Sequence, residues 1–214
     1  MATPSPSSGN HALAAKGNNN FALTVLTTLF FMMGFITCMN DILIPHLKDI
    51  FQLNYTQAML IQFCFFTAYA VMSIPMGKLV EKVGYKNGVM GGFLIAAVGC
   101  LLFYPAAGSH SYPIFLGALF ILASGIVLLQ VAGNPYVTLL AKPCKESATL
   151  TLIQAFNSLA TMIAPPLGAM LIFVDATASA SEKISSVQIP YLGLAGFLIL
   201  LAVVVQLIHL PDAR

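Results

Sequence analysis

The sequence predicts an all-α integral membrane protein with six transmembrane helices, and composition and patterning carry that prediction. Of its 214 residues, 58% are hydrophobic and only 7% are charged, and the mean hydropathy is +0.89. Soluble domains carry roughly 25% charged residues, so the apolar excess is expected to face lipid. The apolar residues also form continuous runs instead of alternating with polar ones, which excludes a transmembrane β-barrel.

Six apolar runs are long enough to cross the hydrocarbon core, which takes about 20 helical residues. They cover residues 21–47, 57–76, 88–104, 112–140, 148–174 and 189–210, and charges or turn residues fill the breaks between them. The polar residues 1–20, rich in Pro, Ser and Asn, are expected to form a disordered tail. This tail lacks the apolar centre of a cleavable signal peptide.

The distribution of lysine and arginine predicts the orientation of the bundle. With a cytoplasmic N-terminus, seven of these residues fall on the cytoplasmic side and two on the other. Because basic residues accumulate on the cytoplasmic side, both ends of the chain are expected to lie there. The cytoplasmic set is Lys16, Lys78, Lys82, Lys86, Lys142, Lys145 and Arg214, and the opposite set is Lys48 and Lys183.

Carboxylates and amides inside the spans are the candidate functional residues, since such groups are costly in hydrocarbon. Asp41 is the only carboxylate well inside a span, and no lysine or arginine lies deep enough to pair with it, which favours a functional role. Single amides either join neighbouring helices or line a polar cavity, and both interpretations stay open. Because three spans each present a polar face, a shared cavity is favoured. The other candidates are Asn40, Gln62, Gln130, Asn134, Gln154 and Asn157.

An internal similarity suggests that the bundle is built from two three-helix repeats. The first span carries Asn40 and Asp41 followed by Pro45, and the fourth carries Asn134 followed by Pro135. Inverted three-plus-three repeats relate helices that lie three apart in the chain. The similarity is weak by itself.

The basic segment after the second span is expected to form a tight cytoplasmic turn between two glycines. As an ordinary positive-inside loop it would contact anionic lipid headgroups. Its spacing resembles the signature loop of the major facilitator superfamily, which runs Gly-x-Leu-x-Asp-basic-x-Gly-x-basic. The matching positions, which form a cytoplasmic gate motif, are Gly77, Lys78, Glu81, Lys82, Gly84 and Lys86.

Four longer stretches extend the resemblance to the fucose and glucose/galactose permease branch of that superfamily. They are residues 33–51, 60–85, 115–140 and 152–173. The resemblance implies half of a twelve-helix transporter in a bacterial cytoplasmic membrane, with residues 211–214 starting the central cytoplasmic loop. It also implies uptake of a hexose by alternating access, coupled to H⁺ or Na⁺ without another cofactor. Partners would be the sugar, the lipid bilayer and a second six-helix half, either a second copy or a separate chain.

Three residues take on roles by matching the motifs of that branch. Asp41 takes the place of a membrane-embedded aspartate linked to proton movement, and Gln154 and Asn157 match residues that line the fucose-permease cavity. Two side chains depart from the pattern: Gln130 stands where fucose permeases have a glutamate, and Glu81 stands where the signature has an aspartate. An amide carries no proton, so a relay of two carboxylates is in doubt. That departure agrees better with the glucose/galactose branch.

Other classes of function are weaker. A net charge of +2, widely scattered, does not suit a nucleic-acid surface. The histidines are dispersed near span ends, which disfavours an enzyme. A water or glycerol channel needs two Asn-Pro-Ala segments, whereas here Tyr136 follows a single Asn-Pro pair. The main alternative is a non-transporting half, truncated or split, that requires a six-helix partner.

Overall fold

The computed structural model describes residues 19–50, 52–109, 111–172 and 180–207, and six α-helices account for nearly all of them. Each helix contains a stretch that is long and apolar enough to cross a membrane, which confirms the six-helix prediction. Residues 1–18 of the expected tail and residues 211–214 lie outside the described ranges. The helices are α1 (Asn19–Ile50), α2 (Tyr55–Val83), α3 (Tyr85–Gly108), α4 (Tyr112–Leu140), α5 (Glu146–Ile172) and α6 (Ala180–Leu207).

Most helices are longer than the apolar runs that predicted them. The expected turn from Gly77 to Lys86 is wrong in its extent, because α2 continues to Val83 and α3 starts at Tyr85. Likewise α1 continues through the Lys48-Asp49 pair, and α6 begins at Ala180, well before the apolar run. Hydropathy marks the part of a helix that lies in hydrocarbon, whereas Lys and Glu are good helix formers that extend it into water.

The connections between helices are short where the structure describes them in full, between α2 and α3 and between α4 and α5. Gly84 alone separates α2 from α3 and has a φ of 85°, a conformation that glycine adopts without steric cost. At the start of α2, the backbone N–H of Asn54 donates to the side chain of Gln57 at 2.9 Å in a capping box. The helices therefore alternate in direction. One end of the bundle, here named the lysine-rich end, carries Lys78, Lys82, Lys86, Lys142 and Lys145, and the other is named the far end.

The packing of the helices follows the inverted repeat. The parallel pair α1 and α5 packs extensively, and so does the parallel pair α2 and α4. Exchanging helices 1–3 with helices 4–6 converts one pair into the other, and it maps the antiparallel pair α3 and α6 onto itself. The α3–α4 contact breaks the symmetry, because it is the largest in the bundle while its counterpart α6–α1 is small.

Glycines allow the close approach of α3 and α4. A methyl group at Gly125 would lie 2.4 Å from the backbone nitrogen of Ala96, and one at Gly99 would lie 2.6 Å from the backbone of Leu122. Small residues at such contacts let helix backbones approach in membranes, where dispersion and packing take the place of the hydrophobic effect. This contact holds α4 at the centre of the bundle, where most of its residues are buried.

Candidate functional site

The candidate polar residues all lie on α1, α2, α4 and α5, and they collect into separate groups. The two groups nearest the bundle surface each bring together polar side chains from two helices. One lies toward the far end between α1 and α2, and the other lies toward the lysine-rich end between α4 and α5.

The first group, named the carboxylate cluster, consists of Asp41, Gln62, Thr37 and Tyr69. The Gln62 side chain lies within reach of the Asp41 carboxylate, and the Tyr69 side chain lies within reach of Thr37. The Thr37 hydroxyl donates to the carbonyl of Met33 at 2.8 Å, which leaves its oxygen able to accept. Asp41 itself is exposed on the bundle surface. The cluster thus presents a carboxylate, supported by an amide, at a surface inside a membrane span.

The second group, named the amide pair, consists of Asn134 on α4 and Gln154 on α5. Nε2 of Gln154 donates to Oδ1 of Asn134 at 3.2 Å. Both side chains are half-buried, as is Gln130 one turn away on α4. The nitrogen of Asn134 and the oxygen of Gln154 remain able to donate and to accept. Amides held in this way can bind the hydroxyl groups of a sugar, which also donate and accept.

The two groups occupy corresponding places in the inverted repeat. The carboxylate cluster joins the first and second helices of one repeat, and the amide pair joins the first and second helices of the other. Because the repeats are inverted, one group lies toward the far end and the other toward the lysine-rich end. The weak sequence similarity between the Asn40–Pro45 segment and Asn134-Pro135 therefore corresponds to a structural relation.

Asn157 contacts α1 instead of the amide pair. Its Nδ2 donates to the carbonyl oxygen of Phe30 at 2.9 Å. Its backbone oxygen would lie 2.5 Å from a methyl group at Gly34, so the two helices touch here. This is the helix-joining use of an amide. The structure thus places Asn157 at the α1–α5 contact, and its role in a cavity stays a prediction.

Asn40 points into the bundle, unlike its neighbour Asp41. It is only 1% exposed, and its amide has no hydrogen-bond partner among the residues that the structure describes. Successive residues of a helix are turned about 100° apart, so adjacent polar residues face different surroundings. The sequence grouped the two residues together, whereas the fold separates the directions of their side chains.

The gate motif lies at the lysine-rich end, where α2 meets α3. Lys78, Glu81 and Lys82 are exposed, and Gly84 is buried at the break between the helices. Just after the break, Tyr85 stacks on Tyr136 of α4 at a centroid distance of 6.3 Å. The motif therefore lies where the ends of α2, α3 and α4 meet, and its charged side chains are exposed.

A groove between α1 and α5 contains residues that the sequence did not single out. It has a volume of about 420 Å³ and is lined by Thr24, Thr27, Thr28, Phe31 and Phe156. Thr27 and Thr28 donate to carbonyls one turn earlier in α1, so their oxygens can still accept hydrogen bonds. The available signal was the spacing of three threonines and a phenylalanine on one face of α1. Because threonine is common in membrane helices, that signal is weak.

Comparison with known proteins decides the family. Residues 24–214 match the Major Facilitator Superfamily. The chain belongs to the major facilitator superfamily. It is 54% identical over 217 residues to a glucose/galactose transporter of Brucella abortus, covering 100% of the chain and 53% of that protein. It is 58% identical over 206 residues to a putative glucose/galactose transporter of Helicobacter pylori, covering 93% of the chain and 50% of the relative.

A solved structure agrees with this membership of the superfamily. The crystal structure of a variant of the Escherichia coli fucose:proton symporter, FucP, superposes with a TM-score of 0.78 at 31% identity. The match covers 92% of this chain and 51% of that one. The chain thus spans about half the length of the relatives it matches, and it corresponds to their amino-terminal half. The superfamily and these relatives are transporters, not enzymes.

Proposed function

We propose that the chain is the amino-terminal half of a cation-coupled hexose transporter that works by alternating access in a bacterial cytoplasmic membrane. The observation that carries the proposal is the carboxylate cluster, because an exposed carboxylate inside a span needs a polar surrounding that lipid does not supply. Support also comes from two relatives with glucose/galactose in their names and from a structural neighbour named as a fucose:proton symporter.

The two polar groups would divide the work of binding. The amide pair and Gln130 would bind sugar hydroxyls, since amides offer both donors and acceptors. Asp41 would bind hydroxyls as well and would carry the coupling charge. With H⁺ as the coupled ion the carboxylate takes up a proton on one side and releases it on the other. With Na⁺ it serves as an anionic oxygen ligand. Gln130 would not carry the coupled proton, because an amide does not ionise near neutral pH.

A direct test is uptake of labelled glucose, galactose and fucose into proteoliposomes that contain the complete transporter. The proposal expects accumulation of a hexose driven by an imposed proton or sodium gradient, and the effective gradient identifies the ion. Failure to accumulate or exchange any hexose under either gradient would overturn it. Amino acids and nucleosides serve as control solutes of similar size.

A second six-helix bundle is expected to cover the polar face. Asp41, Ser158 and Thr161 are exposed within the spans. A charge at the bilayer centre costs about 2.5–3.5 kcal/mol on insertion scales, so contact with lipid alone is unfavourable. We expect a two-fold homodimer or a complex with a separate six-helix chain, measured by native mass spectrometry from nanodiscs. A strictly monomeric species that transports hexose would contradict this expectation. A monomer without transport would favour the alternative, a non-transporting half.

The orientation of the bundle is a separate prediction. Since the lysine-rich end carries most basic residues, it is expected to face the cytoplasm. A reporter fused after Arg214 should read cytoplasmic, and one inserted at Ser179 should read external. The reverse pattern would show that the lysine-rich end faces outward, and the gate motif would then lie on the wrong side of the membrane.

A further inference from the structure

Four buried side-chain atoms have no hydrogen-bond partner among the described residues, and they belong to residues of α1, α2 and α6 toward the far end of the bundle. They are Nδ2 and Oδ1 of Asn40, Oε1 of Gln62 and the hydroxyl oxygen of Tyr191. Asn40 precedes Asp41 in α1, and the Gln62 side chain lies within reach of the Asp41 carboxylate. Tyr191, on α6, interacts electrostatically with Asp41. The unpaired atoms thus mark one region toward the far end of the bundle.

Leaving these atoms unpaired would raise the free energy of the folded protein. A buried donor or acceptor without a partner loses its hydrogen bonds to water with nothing in exchange, and the hydrocarbon around a membrane protein offers no substitute. Asn40 and Tyr191 are each only 1% exposed, and both lie among apolar side chains of the core. By comparison, Ser124, another buried polar residue in the described part of the chain, donates to the carbonyl of Phe120 at 2.7 Å. A concentration of unpaired atoms at one place therefore indicates a bound ligand.

The chemistry of the atoms selects that ligand. The site offers donors, namely Asn40 Nδ2 and the Tyr191 hydroxyl, together with acceptors, namely the amide oxygens of Asn40 and Gln62. A cation would bind the oxygens but would leave the Asn40 Nδ2 donor unpaired, and an anion would leave the amide oxygens unpaired. Water both donates and accepts, and buried water commonly makes about three such bonds.

We infer that ordered water is bound inside the half bundle between Asn40, Gln62 and Tyr191, on the inner side of Asp41. This site is distinct from the exposed surface of Asp41, and its existence does not depend on the proposed function. Its consequence for transport does depend on the proposed function. Water bound behind the carboxylate would keep Asp41 hydrated when its exposed surface is covered, which lowers the cost of its charge within the membrane.

X-ray radiolytic labelling read by mass spectrometry tests the site in the full chain, purified into nanodiscs. Radiolysis of bound water forms hydroxyl radicals beside the water, so a buried side chain is labelled only where water is held. Tyr136 is the internal control, because it is buried to the same degree, at 0% exposed, and lies on α4 toward the lysine-rich end. We expect Tyr191 to be labelled several-fold faster than Tyr136. Equal rates, whether both slow or both fast, would overturn the inference.

Two further arms test the composition of the site. Asn40→Leu removes both amide atoms and is expected to lower labelling of Tyr191 toward the level of Tyr136. The matched control Ser124→Ala removes a buried polar group that is already paired, and it should leave Tyr191 labelling unchanged. Exchanging a choline salt for the sodium salt in the buffer should also leave the labelling of Tyr191 unchanged. Suppression by sodium would show that the site holds a cation, and unchanged labelling in Asn40→Leu would place the water elsewhere. Neither arm depends on transport.

Discussion

Replacing Asp41 with asparagine is expected to abolish cation-driven accumulation of hexose in proteoliposomes that contain the complete transporter. Coupling by H⁺ requires a group that takes up and releases a proton, and coupling by Na⁺ requires an anionic ligand. Asparagine provides neither. Sugar exchange without a gradient is expected to persist in part, because the new amide still forms hydrogen bonds with hydroxyls and with Gln62. Uptake is measured against imposed proton and sodium gradients, with protein levels matched between variants.

The matched control for Asp41→Asn is Gln130→Ala. The Gln130 side chain is half-buried on α4 and belongs to the proposed sugar site. The variant should therefore weaken apparent sugar affinity while keeping the requirement for a cation. The two variants thus separate coupling from binding. If Asp41→Asn accumulates sugar as well as the parent under both gradients, Asp41 is a structural contact to Gln62 and the coupling role is wrong.

Alanine at Gly125 is expected to destabilise the bundle, although alanine normally stabilises a helix by about 1 kcal/mol relative to glycine. The added methyl group would lie 2.4 Å from the backbone nitrogen and 2.8 Å from the Cα of Ala96. These are backbone atoms, so α3 and α4 must move apart, and overpacking of this kind costs about 1–3 kcal/mol. A lowered midpoint of thermal unfolding in detergent, followed by circular dichroism, would report the loss.

Gly117→Ala controls for the change in helix propensity. Gly117 lies on the same helix α4, and a methyl group there would have no neighbour within 4 Å. This variant should leave the unfolding midpoint unchanged or raise it slightly. Equal shifts in Gly117→Ala and Gly125→Ala would mean that the close α3–α4 contact does not limit stability.

Much of the architecture follows from the sequence because membrane spans depend on local composition. The fourth span was predicted at residues 112–140, and α4 has the same bounds. The predicted ends of other helices were less accurate, since charged residues such as Lys82 continue a helix beyond the hydrocarbon. Membership of the superfamily was also predicted correctly from the gate motif and the longer similar stretches.

The partners of the polar residues were not predictable in the same way. Helical spacing placed Gln154 and Asn157 on one face of the fifth span, yet their contacts diverge. Gln154 pairs with Asn134 of α4, and Asn157 binds a backbone carbonyl of α1. Periodicity shows which residues share a helix face, but it does not show which neighbouring helix lies opposite each turn. Crossing helices change neighbours along their length, so residues one turn apart meet different partners.

By itself, the sequence determined the number of spans, the types of polar group within them and the family. These properties depend on the free energy of transferring each segment to hydrocarbon and on motifs that are local in the chain. The tertiary structure decided which polar atoms are paired and which are buried unpaired. It turned Asn40 into the core and Asp41 to the surface, and it brought Tyr191 of α6 toward them. Those outcomes depend on packing between helices distant in the chain, where each backbone approach is limited by the side chains that meet there.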